Sequence, residues 1–121
     1  MQIRYLCPKH ENWVYDNPKE AIHFMARDEL QGSLLLDQGQ ISEAIPYLGC
    51  ALDIAFILLD VDGGQNNALT HKITMLCDTL SNIYRYLRLP SHCHAIETRL
   101  ANTLNAVETA SENSVNIACN F

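Results

Sequence analysis

The chain has 121 residues, 48% of them hydrophobic and 18% charged, and a formal net charge of -6. That size and mix fit one ordered domain with its own core and exclude a disordered polar chain. The acidic balance argues against general binding to nucleic acid or to an anionic membrane surface. The charge is also unevenly spread. No Lys or Arg occurs from Asp28 through His71, where Asp28, Glu29, Asp37, Glu43, Asp53, Asp60 and Asp62 all fall.

The N-terminus "MQIRYLCPKHENWVYD" lacks the apolar core of a secretory signal and shows no helical periodicity, so residues 1–16 read as an extended arm with aromatics at Tyr5, Trp13 and Tyr15. A first helix is expected from Pro18 to about Gln38. Asn17 is its cap, Pro18 suits the first helical position, and Glu20 can reach back. Gly39 is placed to end it. A second helix restarts at once, capped by Gln40 or Ser42, with Pro46 near its first turn, and reaches about Asp60. "DVDGGQNN" is the clearest loop. A third helix follows from about Asn67 to Arg88, with Leu69, Ile73, Leu76, Leu80, Ile83 and Leu87 as its stripe. Pro90 breaks the pattern, and Ser91 can cap a fourth helix running to about Thr109. The expected domain therefore spans 17–109, with residues 110–121 as a tail of no clear assignment. The fold class is all-α, in two antiparallel hairpins.

Within the second helix, "IAFILL" is apolar on every side. Ile54, Phe56, Ile57, Leu58 and Leu59 cannot all face one neighbour. The expected covers are the aromatic arm, the second hairpin and another copy of the chain, because a large exposed apolar patch is a solubility liability. The run is too short to span a bilayer. Five cysteines at irregular spacing (Cys7, Cys50, Cys77, Cys93, Cys119) do not form a disulfide framework and suit a reducing, cytoplasmic setting.

The stretch "DELQGSLLLDQGQISEAIPYLGCAL", residues 28–52, resembles a tetratricopeptide repeat, a helix–turn–helix unit of about 34 residues. Gly32 stands where the family has a small residue at the helix crossing. Gly39 matches the glycine that ends the first helix, and Ile41 the large residue after it. Glu43, Ala44 and Ile45 repeat the acidic-small-apolar start of the second helix. Tyr47 and Leu48 match the bulky pair, and Ala51 and Leu52 the small-large pair that follows. Asp28, Gln31 and Phe56 depart from the pattern, and the second hairpin follows it loosely. The resemblance implies a right-handed superhelix of helical hairpins and a role in binding or assembling proteins through a helical groove. Gly32, Gly39, Ala44, Leu48 and Ala51 would then be packing residues, small ones admitting close helix approach.

Chemical candidates are few. Cys7 and His10, with His92, Cys93 and His94, have ligand types and a Cys-x-x-His spacing that could hold zinc and staple the arm to the last helix. Asp60, Asp62 and Asn66 resemble a calcium loop, but His71 stands where the distal glutamate belongs. No nucleophile is spaced beside a base and an orienting group, and there is no phosphate loop, so no catalytic residue and no cofactor are expected. Arg85, Arg88 and Arg99 offer a basic patch for an acidic segment, or neutralise a helix end and the acidic first hairpin. The leading expectation is a small cytoplasmic adaptor, chaperone or assembly factor that binds a protein or peptide and forms a homodimer, with Ile54 to Leu59, Arg85 and Arg88 as interaction residues. A zinc-stapled regulatory module and a purely structural homo-oligomer are the alternatives.

Overall fold

A computed structural model describes the backbone of residues 1–119 and the side-chain surroundings of residues 1–110. It is all-helical: α1 (Pro8–Asp16), α2 (Pro18–Asp37), α3 (Ile41–Asp62), α4 (Asn67–Tyr86) and α5 (Pro90–Cys119), with no strand among the described residues. The all-α class is the expected one, but there are five helices rather than four. The additional helix, α1, lies where an extended arm was expected. Its nine residues bury only Val14, too few contacts to show a periodic stripe, while Pro8 at its start and Glu11 in its first turn are ordinary start signals. Only residues 1–7 remain a non-helical arm.

The far end departs as well. α5 continues past Thr109 to Cys119, because nothing between Pro90 and Phe121 is a glycine or proline that would stop it. Residues 120 and 121 of the expected tail, and the side chain of Cys119, lie outside the described residues.

Helix ends follow from local chemistry. Gly39, at φ 76°, lets α2 finish in a left-handed residue, and its N–H and that of Gln40 cap the carbonyls of Leu36 and Leu35. The same hydrogen-bond pair closes α4 through Arg88 and Leu89, onto Arg85 and Tyr84. There the left-handed position holds an arginine, at φ 59°, instead of a glycine. Asn17 sits at the start of α2 without capping it by its side chain. Its amide donates instead to the Trp13 carbonyl at the end of α1, 2.9 Å away. Asn66 caps α4 through Leu69 N–H at 3.1 Å, and Asp62 accepts from Gln65 N–H at 2.9 Å. Asp62 and Asn66 of the loop thus serve as turn and cap groups, while Asp60 Oδ2 accepts from the Tyr15 hydroxyl at 2.9 Å.

α3 is the central helix. It packs against α1, α2 and α4, and α4 packs in turn against α5. Leu48, Leu52, Ile73, Leu80 and Ile96 are the largest fully buried side chains. The close approach of α2 and α3 rests on small residues, as expected: a methyl group on Gly32 would lie 2.6 Å from Leu48 Cγ, and Ala44 and Ala51 are wholly buried. By length and composition Ile41–Asp62 could cross a membrane, a point missed by looking only at "IAFILL", yet 61% of its most apolar window is buried inside the chain. That is the pattern of a core helix.

The interaction surface expected at the apolar run is corrected by the same packing. Ile54, Ile57, Leu58 and Leu59 are all buried, and Phe56 is half-buried beneath the Arg99 guanidinium, 4.0 Å from its ring centre. The chain supplies the second cover itself. Cys77 belongs to this core, and burial pushes its thiol up to about 12. Burial, with the Asp28 and Asp53 charges, raises Cys50 to about 11.

Candidate functional site: the groove beneath the arm

α3 and α5 both rest on α4, while their own backbones stay apart. The result is a groove with α4 as its floor and α3 and α5 as its walls. Its polar centre is Asp53, only 2% exposed although it lies in the middle of the most apolar helix. A buried carboxylate requires partners. Asp53 Oδ1 accepts from Arg99 Nη1 of α5 at 2.6 Å. Its Oδ2 accepts two successive main-chain N–H groups of the arm, Tyr5 at 2.6 Å and Leu6 at 2.9 Å. Arg99 Nη1 also donates to the Ile3 carbonyl at 3.1 Å. One acid and one base, from opposite walls, therefore read both polarities of a peptide backbone.

The side-chain contact is made by Tyr5. Its ring lies against Gly49 so closely that a methyl group there would overlap it. Its hydroxyl reaches the floor, 2.6 Å from the Tyr84 hydroxyl. Burial, followed by that hydrogen bond and the nearby Asp53 charge, raises the Tyr5 phenol well above its usual value, and burial raises Tyr84 too. Both stay neutral donors and acceptors at any physiological pH.

The groove is longer than its occupant. Arm residues Met1 to Arg4 and the first turns of α5 line a hollow of about 750 Å³. Beyond Arg99 and Asn102, which border both, lies a second hollow of about 480 Å³ between Phe56 and Leu59 of α3 and Thr103, Ala106 and Val107 of α5. No residue of the arm borders this second space.

The other candidates from the sequence are dispersed. Cys7 Sγ and His10 Nδ1 do approach, at 3.3 Å on the exposed surface. His92, however, packs its ring 5.2 Å from that of Tyr84, and His94 Nε2 lies 3.4 Å from Thr98 Oγ1. Among the described residues no three His, Cys, Asp or Glu side chains gather to hold a metal ion, so the zinc staple is not assembled. Arg85 bridges α4 to α5 through Glu97 at 3.2 Å, and also donates to Asn82 Oδ1 at 2.8 Å, so it is paired within the second hairpin rather than offered as a free basic group. Arg88 makes the helix turn with its main chain, while the residue itself is exposed. Arg99 does neutralise the acidic first hairpin, at Asp53, but Asp53 and the glycine seat at Gly49 were not singled out from sequence. The available signal was Asp53 itself, a lone carboxylate between Leu52 and Ile54.

Compared with known protein families, curated proteins and solved structures, the chain shows no match to any.

Proposed function

We propose that this chain is a small protein-binding module of tetratricopeptide-like construction, an adaptor, chaperone or assembly factor of the cytoplasm that works by shape and main-chain contact rather than by chemistry. The observation that supports this is the groove already holding a non-helical peptide segment, its own arm, through Asp53 and Arg99. Recognition of an extended peptide elsewhere divides the work in the same way, main-chain hydrogen bonds giving affinity and side-chain pockets specificity. The groove used here lies between the second helices of the two hairpins, α3 and α5. Self-association has lost the argument it had from "IAFILL", which is covered within the chain, and we take the monomer as the binding unit.

The test uses immobilised full-length protein challenged with extract of its native cell. Ala106 is exposed and borders the open end of the groove, so Ala106→Arg fills that end without disturbing the core. A specific protein captured by the wild type and by a Leu30→Arg surface control, but lost with Ala106→Arg, is the expected result. Capture of nothing by the wild type, or equal capture by all three, refutes the reading.

A further inference from the structure

We propose that the arm is a displaceable internal ligand, and that the seat it occupies is a recognition site for a partner protein's non-helical segment carrying a tyrosine followed by an aliphatic residue. This rests on the reading that the groove binds protein segments, and adds which segments and what guards the site.

Three features carry it. The Asp53–Arg99 bridge is made by α3 and α5 alone, so the seat keeps its ion pair when the arm leaves and no charge is stranded. The hydrogen bonds from the seat to the arm go to main-chain atoms, except for the Tyr5 hydroxyl. Any chain that places a tyrosine against Gly49 can therefore satisfy them. The arm also stops short of the second hollow, so a longer segment crossing Arg99 onto Phe56 gains contacts that the arm does not have.

The ligand class follows from the same contacts. The tyrosine is set by the Gly49 seat and the Tyr84 hydroxyl, and there is no room for a phosphate between two hydroxyls 2.6 Å apart. The arm residue before it, Arg4, is exposed and 3.7 Å from Glu11, which favours a basic residue at that place in a partner. Because the resident arm is tethered, it competes at an effective concentration of the order of millimolar. A partner therefore has to bring the additional contacts of the second hollow.

The test is fluorescence anisotropy with a labelled synthetic peptide of sequence MQIRYLSP, added to full-length protein. Wild type and the arm-weakened Tyr5→Ala variant are compared, with helicity checked by circular dichroism. The peptide is expected to bind Tyr5→Ala at least tenfold more tightly than wild type. A peptide with alanine at every position except the isoleucine, tyrosine and leucine should bind within threefold of the first. Replacing its tyrosine by alanine or phosphotyrosine should weaken binding at least tenfold, and these peptide changes cannot unfold the protein. Equal binding to both proteins, or no binding to folded Tyr5→Ala, overturns the proposal. Capture of a partner in the extract experiment would then still leave the groove reading standing. A wild-type dimer that the peptide dissolves in sedimentation would assign the seat to a second copy and overturn the partner assignment.

Discussion

Asp53 sits where α3 is most apolar, and the cost of its burial is met from two directions: the Arg99 guanidinium and the main chain of the arm. Truncation to Asp53→Ala leaves both partners unanswered in a dry site. The expected cost is about 3–5 kcal/mol, read from urea unfolding. Replacing the pair together, Asp53→Leu with Arg99→Leu, should cost far less, because apolar residues substitute well for a buried ion pair once neither charge is stranded. Near-equal losses for the single and the double variant would show that the pair is not the unit. Tyr5 supplies a pH test. Its phenol is raised in the folded chain by burial first and by Tyr84 and Asp53 after that. The released arm ionises near pH 10, as an ordinary tyrosine does. A group whose folded value is raised contributes fully below the ordinary value and loses that contribution as pH climbs above it. The arm should therefore hold through neutral pH and loosen above about pH 10, seen as faster exchange of the Tyr5 and Leu6 amides relative to α3 amides and absent in Tyr5→Ala.

At the scale of helices, the end of α4 is the element most open to improvement. Its turn follows the same hydrogen-bond scheme as the end of α2, but with Arg88 in a left-handed conformation where α2 uses Gly39. Arg88→Gly removes the clash of a side chain with its own carbonyl and should raise stability by about 1 kcal/mol, measured as a higher midpoint of thermal unfolding. An unchanged or lower midpoint would mean that the arginine stem packs more usefully than the backbone is strained. Helices α2 to α4 were legible because their stripes, glycines and prolines agree with one another. α1 was not, since a helix that buries only Val14 leaves no periodic trace. The C-terminal end of α5 was misplaced because polar, uncapped helix and polar coil look alike when no Gly or Pro intervenes. Small residues at the α2–α3 crossing could be placed from Gly32, Ala44 and Ala51. The partner of Gly49 could not, because Tyr5 is 44 positions away and no local pattern links them.

For the molecule as a whole, the arm is a short non-helical segment that packs Ile3, Tyr5 and Leu6 onto the helical core. Local opening of such a segment needs far less free energy than global unfolding. Interactions made after the rate-limiting barrier change unfolding rates and leave folding rates alone. Tyr5→Ala should therefore speed unfolding in stopped-flow experiments while the refolding rate stays within about twofold. A refolding rate that falls in step with stability would place the arm in the nucleus and reverse this order of events.

The bond between Arg99 and the Ile3 carbonyl joins positions 96 residues apart, and that span has a consequence during synthesis. The ribosome releases the arm before α5, so one wall of the seat is missing until α5 has emerged. Domains generally fold as units. Here the arm waits for a helix made well after it, and for that interval its tyrosine has no complete seat.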